Sequence, residues 1–234
     1  ESTRGLKVGA EAEFTGHMLE VTLGPGMLSK NYDGLQNDLD KMDGVFLKRG
    51  QYTYPLDKES KWYFEPLVKE GDEVGPSAWL GQVDENHQPL KIMVPFHLMG
   101  TYKVKSIAKA GEYTIEDTVA VLTDKEGNDI PVNMIQKWPV KKAMTNYKEK
   151  PRPFKLLETG VRVIDTVNPI VEGGTGFIPG PFGTGKTVLQ HAISKQAEAD
   201  IVIIAACGER ANEVVEIFTE FPELVDPHTG RKLM

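Results

Sequence analysis

Short apolar segments separated by turn residues dominate the first 135 positions of the chain. Over 56–135 the strand-like segments recur about every 8 to 12 residues, between glycine-containing turns. This spacing predicts a β-rich unit, either a small barrel or a sandwich. The aromatic side chains expected in its core are Trp62, Tyr63, Phe64, Trp79 and Phe96.

Weaker patterns precede this unit. Residues 1–30 alternate apolar stretches with glycine turns, which predicts short strands. Residues 31–55 are interpreted as a connecting segment. A short amphipathic helix is predicted within it, because three apolar residues fall at helical spacing: Leu35, Leu39 and Met42.

The pattern changes after a stretch at 136–155 that is rich in proline and lysine, which we interpret as a linker. A helix over 156–170, an apolar strand at 175–178, a glycine-rich turn and a second helix follow. The next segment, 201–206, is apolar throughout, which is typical of a strand buried on both faces of a sheet. This order predicts a βαβ unit with a parallel sheet, and therefore a multidomain chain.

Composition narrows the choice of function. Hydrophobic residues make up 40% and charged residues 26%, which is ordinary for a globular protein. The longest apolar run is far shorter than the roughly 20 residues of a membrane helix, so no direct membrane insertion is expected. The net charge of −7 includes no basic stripe outside the predicted linker, so nucleic acid is not an expected partner. Cys207 is the only cysteine and is interpreted as a small hydrophobic residue.

The strongest chemical signal is the segment from Gly180 to Thr187, GPFGTGKT, which matches G-x-x-x-x-G-K-[ST]. Glycines at 180, 183 and 185 are expected to adopt positive φ, so that the backbone amides can surround phosphate oxygens. The helix that follows would direct its positive N-terminus at the same place. Lys186 can reach the β- and γ-phosphates of a nucleotide, and the Thr187 hydroxyl suits Mg²⁺.

The context of this loop matters, because four fixed positions match by chance in roughly 1% of chains of this length. A predicted strand precedes the loop, and an apolar stripe at helical spacing follows it, as the motif requires. The residues predicted to bind the nucleotide are Gly180, Pro181, Phe182, Gly183, Thr184, Gly185, Lys186, Thr187 and Val188.

An acidic residue follows the second predicted strand. Glu209 would lie at the carboxyl end of 201–206, where α/β sheets place their ligand-handling groups. From there it could orient and activate a water molecule beside the γ-phosphate. Its alternative role is a carboxylate at the N-terminus of the helix predicted over 212–218. Position alone leaves both roles open.

A nucleotide-hydrolysing protein of this kind also needs a carboxylate after another apolar strand to hold Mg²⁺. Beyond Lys186 the sequence offers only 201–206 as such a strand. We therefore expect the chain to be part of a longer protein.

Several segments resemble the catalytic A subunit of the V-type and archaeal A-type rotary ATPases. The most specific ones lie in the last third of the chain: 178–188, 207–213 and 220–227. Others, in the matching order, are 5–9, 23–28, Trp62 with 68–74, 110–115 and 138–140. The resemblance implies an order of domains. The end of an N-terminal β-barrel at 1–30 and a connecting segment at 31–55 come before an inserted β-rich bulge domain at 56–135. A linker at 136–155 then leads to the first part of a RecA-like P-loop nucleotide-binding domain at 156–234.

The resemblance also implies residue roles. Lys186, Glu209 and Arg210 would be catalytic, with Glu209 activating water and Arg210 organising the γ-phosphate side. Thr187 would bind Mg²⁺, and ATP or ADP would be the nucleotide. Ala206 and Ala211 stand where the family more often has glycine, which could shift Glu209.

The implied partners are B subunits alternating with this subunit in a hexameric head, central stalk subunits, and peripheral stalk subunits contacted through the bulge domain. The implied location is cytoplasmic, in a head attached peripherally to a membrane. Thr184 stands where eukaryotic relatives often have cysteine, which favours a prokaryotic source.

The function implied is the hydrolysis or synthesis of ATP coupled to H⁺ or Na⁺ transport. The chain itself is expected to be essentially inactive, because the resemblance assigns an aspartate for Mg²⁺, an adenine-contacting aromatic and an arginine finger to other segments or subunits. Two alternatives remain. One is another RecA-like hexameric ATPase, an F-type β subunit or a secretion ATPase, against which the 56–135 insertion argues. The other is a fragment that acts only as a stalk-docking module.

Overall fold

The computed structural model describes residues 5–42, 50–145, 147, 149–181, 183–225 and 230. The chain divides into two compact units, Glu1–Tyr147 and Lys148–Met234. None of the helices in the described ranges is long and apolar enough to cross a membrane.

In the described residues of the first unit, antiparallel strands are the main regular secondary structure. Its strands in the described ranges are β1 (Glu20–Leu23), β2 (Lys61–Pro66), β3 (Glu73–Val74), β4 (Trp79–Glu85), β5 (Gln88–Met93), β6 (Tyr102–Ile107), β7 (Gly111–Thr114), β8 (Ala120–Thr123), β9 (Asp129–Val132) and β10 (Gln136–Pro139). Two four-stranded sheets have the orders β5-β4-β2-β7 and β3-β6-β8-β9, and β1 pairs with β10. The predicted β-rich barrel or sandwich is confirmed.

Two clusters of buried side chains form the core of this unit. The first comprises Leu56, Phe64, Val83, Ile92, Ile115, Val119 and Met134. The second comprises Val74, Leu80, Val94, Val104, Ala120, Leu122 and Val132. In the second cluster, Ala120 and Leu122 of β8 show the alternation of a strand, in which every second side chain points inward.

The predicted core aromatics are only partly correct. Phe64 is fully buried, whereas its neighbour Tyr63 is 55% exposed, because successive residues of β2 face opposite sides of the sheet. Trp79 is also 55% exposed, because it faces the opposite side of the sheet from its buried neighbour Leu80 in β4. Trp62 and Phe96 are half-buried.

The amphipathic helix predicted between 31 and 43 is wrong for the described residues, 31–42. Only one 3₁₀ turn forms, at Leu39–Lys41. The Asp33 carboxylate accepts hydrogen bonds from the amides of Leu35 and Asn37, at 2.9 and 2.8 Å. This local turn competes with helix formation, and Gln36 has a φ of 63°, which no α-helix contains.

The second unit contains β11 (Leu156–Leu157), α1 (Arg162–Val167), β12 (Ile170–Val171), α2 (Lys186–Gln196) and α3 (Ala211–Glu220), followed by a 3₁₀ turn at Phe221–Glu223. The helices predicted after the glycine-rich turn and at 212–218 are confirmed as α2 and α3. The helix predicted over 156–170 is wrong, since only its centre is helical. Gly160 has a φ of 72°, and the Asp165 side chain binds the amides of Thr159 and Gly160, which ends the helix on that side.

The predicted parallel sheet is also wrong for the described residues. Neither 175–178 nor 201–206 is a strand, and the only strand pair among the described residues of the second unit is the antiparallel pair β11–β12. Ile203 is 88% exposed rather than buried. A parallel strand takes its backbone hydrogen bonds from neighbouring strands, and two such segments alone are marginal as a sheet. Apolar composition therefore does not suffice to make 201–206 a strand.

Candidate functional site

The glycine-rich loop before α2 has the backbone geometry that its sequence predicts at two of three positions. Gly183 and Gly185 have φ values of 78° and 83°, a region that side chains other than glycine rarely adopt. Gly185 is also the N-cap of α2. Gly180 does not have a positive φ, so that prediction is wrong. A Cβ there would lie 2.6 Å from Thr184 Oγ1, so a close approach, rather than a positive φ, favours glycine at 180.

Two side chains close the loop on itself. The Thr184 hydroxyl donates to the Pro181 carbonyl oxygen at 2.8 Å. The Lys186 ammonium donates to the Gly180 carbonyl oxygen at 2.6 Å. These bonds hold the lysine charge over the loop, beside the positive N-terminus of α2.

The remaining predicted loop residues differ in what the structure shows of them. Val188 is in the first turn of α2, and its side chain is 73% exposed. Phe182 lies outside the described residues.

A small cavity is lined by α2, α3 and the segment that precedes α3, and Thr187 from the end of the loop motif is part of its lining. Its volume of ≈ 20 Å³ is enough for about one water molecule. The lining residues are Thr187, Gln190, His191, Ser194, Ile204, Ala205, Ala206, Glu209, Glu213 and Ile217. The structure thus brings two of the predicted site residues, Thr187 and Glu209, to one cavity.

Glu213 connects these two residues. The Thr187 hydroxyl donates to Glu213 Oε2 across 3.4 Å, a long hydrogen bond. A hydrogen bond between the side chains of Glu213 and Glu209 raises the pKa of the Glu209 carboxyl above its ordinary value. Desolvation and the negative charge of Glu213 act in the same direction, whereas the positive charges of His191 and Lys186 oppose it. The Glu209 carboxyl therefore keeps its proton to a higher pH than an isolated glutamate would.

Other predicted features fall around this cavity. Arg210 is the N-cap residue of α3, adjacent to Glu209, and Ala211 is the first residue of that helix. Cys207 is exposed, so its interpretation as a small buried residue is wrong. Cys207 is exposed because the segment 201–206 before it is not the buried strand that was predicted, which is also why Ile203 is exposed.

Two residues of the cavity, Glu213 and His191, were missed by the sequence reasoning. The sequence signal that could have identified them is their helical spacing from two predicted site residues. His191 follows Thr187 by four residues on α2, so these two share a helix face. Glu213 follows Glu209 by four residues, with Glu209 just before the N-cap of α3.

Comparisons with known proteins agree with this geometry. The ATP synthase alpha/beta family nucleotide-binding domain matches 160–232, and the ATP synthase alpha/beta subunit barrel-sandwich domain matches 53–141. With a phosphate-type loop inside one match and the two β-sheets inside the other, the chain belongs to the ATP synthase alpha/beta family.

Its relatives place it in one branch of that family. It is 55% identical over its whole length to a V-type ATP synthase alpha chain of Treponema denticola, of which it covers 40%. The V-type ATP synthase alpha chain of Borrelia hermsii is 50% identical, with 41% covered, and alpha chain 1 of Treponema pallidum is 48% identical, with 40% covered. In each case all of this chain is aligned, and it spans about 40% of the relative's length.

The resemblance found in the sequence is therefore confirmed, and the F-type β and secretion ATPase alternatives are not favoured. The domain boundaries and the roles of single residues stay predictions.

Proposed function

We propose that this chain carries the phosphate-binding part of the catalytic subunit of a V-type rotary ATPase, which hydrolyses or synthesises ATP and couples that reaction to H⁺ or Na⁺ transport. One observation carries the proposal most strongly. A hydroxyl, Thr187, and two carboxyl groups, Glu209 and Glu213, meet at one cavity behind a loop with phosphate-binding geometry.

The loop residues would bind the phosphates of ATP or ADP. The left-handed glycines at 183 and 185 let backbone amides turn toward an anion, and the N-terminus of α2 adds its partial positive charge. Lys186 already lies over the loop on the Gly180 carbonyl oxygen, from which a phosphate oxygen would draw it.

Mg²⁺ fits the residues beside the loop. Hydroxyl and carboxylate oxygens are the ligands this cation prefers, and the Thr187 hydroxyl with the nearby Glu213 carboxylate provides both. In this proposal Thr187 holds the ion. The bound ion would supply charge neutralisation at the β- and γ-phosphates.

Glu209 would orient the attacking water and accept its proton at a carboxylate oxygen. A general base works best when its pKa lies near the operating pH, and the raised pKa of Glu209 is a shift in that direction. Arg210, next along the chain, would face the γ-phosphate side. Lys186 would stabilise the charge that develops on the transferred group.

The proposed partners are B subunits in an alternating hexameric head and central stalk subunits, at the periphery of a membrane. A second function, docking of peripheral stalk subunits, is supported by the exposed aromatics of the first unit. Tyr63 and Trp79 lie on an outer sheet face, and the Lys91 ammonium is 5.0 Å from the centre of the Trp79 ring. Aromatic side chains are enriched at protein interfaces.

Deleting 56–135 from the full-length subunit tests this docking function. Loss of stalk attachment with ATP hydrolysis intact would support it. Retained attachment, or loss of both properties together, would contradict docking as a separate role of this segment.

The nucleotide site is tested by titrating Mg-ATP into the 234-residue chain in a calorimeter. Saturable binding is expected, and Lys186→Ala should abolish it because the loop loses its phosphate-directed charge. Lys125→Ala is the matched control, since it removes the same charge from an exposed turn of the first unit. Binding that survives Lys186→Ala, or that Lys125→Ala weakens equally, would refute the proposed site.

A further inference from the structure

Helices α2 and α3 meet along a seam of three side-chain contacts. Thr187 contacts Glu213 at its start, the His191 ring nitrogen Nδ1 lies 4.0 Å from Glu216 Oε1 in the middle, and Lys195 pairs with Glu220 at its end. From one contact to the next, the α2 residue is four positions further along and the α3 residue is three or four positions further along. Successive turns of the two helices are therefore in contact, and these contacts fix the register of α3 against α2.

The middle contact differs from the other two. His191 is the only buried residue of α2, at 7% exposed. Its ring packs edge-on against Phe221, with 5.8 Å between centroids and an interplanar angle of 84°. Phe221 is equally buried and directly follows α3. The histidine therefore fills the space between α2 and the end of α3.

His191 also lines the cavity that holds the site residues. It lies one helical turn beyond Thr187, and its partner Glu216 lies about one turn beyond Glu213. A slip of α3 along α2 would thus move Glu213 away from Thr187 at once. The start of the seam is a polar contact, and at its end the Lys195 ammonium also lies over the Phe221 ring, 5.6 Å from its centre.

We propose that His191 is a positioning residue, which packs against Phe221 to fix α3 against α2 and so holds Glu213 and Glu209 at Thr187. Its distance of 4.0 Å from Glu216 is longer than a hydrogen bond, so the edge contact with Phe221 supplies the positioning. The consequence for nucleotide binding rests on the function proposed above. The positioning of α3 by His191 does not depend on that function.

The first test measures the register of the helices without any nucleotide. Spin labels are placed on cysteines at two exposed positions, Gln196 of α2 and Asn212 of α3, in a Cys207→Ala background. One narrow distance distribution is expected, and His191→Ala should broaden it. A slip of one turn would move its mean by about 5 Å. His87→Ala, at an exposed turn of the first unit, is the control. An unchanged distribution in His191→Ala would overturn the proposal.

The second test separates positioning from general loss of structure. His191→Ala should weaken Mg-ATP binding about tenfold, the equivalent of one lost contact, but leave ATP binding without Mg²⁺ within about twofold. His191→Phe keeps an aromatic ring against Phe221 and should restore both the distance distribution and the affinity. His191→Gln keeps a polar group toward Glu216 and should not. Rescue by glutamine alone would overturn the proposed aromatic contact.

The outcomes also distinguish the two proposals. If the unsubstituted chain does not bind ATP, the proposed function fails for this chain. The distance measurement still decides whether His191 positions α3.

Discussion

Gly180→Ala tests the close approach inside the loop. The new Cβ would lie 2.6 Å from Thr184 Oγ1, while the next atoms, Thr184 Cβ and Lys186 Cδ, are at 3.5 and 3.6 Å. Only the hydroxyl has to move, and it can do so by rotating. Rotation breaks its 2.8 Å hydrogen bond to the Pro181 carbonyl oxygen, which costs about 1 kcal/mol. That energy corresponds to about fivefold weaker binding of Mg-ATP.

The assay is calorimetric titration of Mg-ATP into four chains: the parent, Gly180→Ala, Thr184→Ala and the double variant. Thr184→Ala removes the obstructing hydroxyl, so the double variant should bind no worse than Thr184→Ala alone. Gly176→Ala is the matched control, since a Cβ there would meet only the Ile170 side chain, at 3.4 Å from Cδ1 and 4.0 Å from Cγ1. Two results would refute the reasoning, namely unchanged affinity in Gly180→Ala or additive losses in the double variant.

Three further predictions follow from other contacts. Gly81→Ala places a Cβ 2.2 Å from Cε2 of the fully buried Phe64 ring, so urea unfolding should show a loss of about 1–3 kcal/mol, whereas Gly34→Ala, with nothing within 4 Å, should stay within about 0.5 kcal/mol. Equal losses would contradict this. Glu213→Gln should lower the pKa of Glu209 toward its ordinary value. The proton held by Glu209 stabilises the fold below the ordinary glutamate pKa, and that stabilisation is lost as pH rises through the raised pKa of Glu209. Carbon-13 NMR should therefore find the Glu209 titration at lower pH in the variant. An unshifted titration would exclude the pairing. Finally, the chain alone should hydrolyse ATP negligibly, and a turnover near ~1 per second in a phosphate-release assay would contradict the expectation that other segments complete the site.

Features that depend on neighbouring residues could be predicted from the sequence. The loop motif, the two helices around it and the antiparallel sheets follow from local spacing, and the structure confirms them. Gly183 and Gly185 could be anticipated in the same way, because positive φ is a property of single residues in a known turn.

Features that depend on contacts with residues distant in the sequence could not be predicted. Segment 201–206 has the composition of a buried strand, but a strand forms only where another strand accepts its hydrogen bonds. Glycine is favoured at 180 by the close approach of the Thr184 hydroxyl, a contact that the spacing of the loop motif does not predict. The predicted helix near 35–42 fails for a local reason, the Asp33 side chain, which a closer consideration of turn chemistry would have found.

His191 and Glu213 belong to a third group. Their helical spacing from Thr187 and Glu209 is visible in the sequence, but their role appears only when α2 and α3 lie side by side. The spacing shows which residues share a face of one helix, whereas the packing of α2 against α3 determines which face of the other helix contacts them.

The central claim is that the loop and the first turn of α3 form one site for a metal-bound nucleotide. Paramagnetic broadening by Mn-ATP tests it most directly, with Mn²⁺ in place of Mg²⁺ and amide signals recorded along the chain. The account predicts strong broadening at Gly183, Gly185, Thr187 and Glu213. Uniform broadening, or broadening that spares Glu213 while affecting the loop, would contradict it.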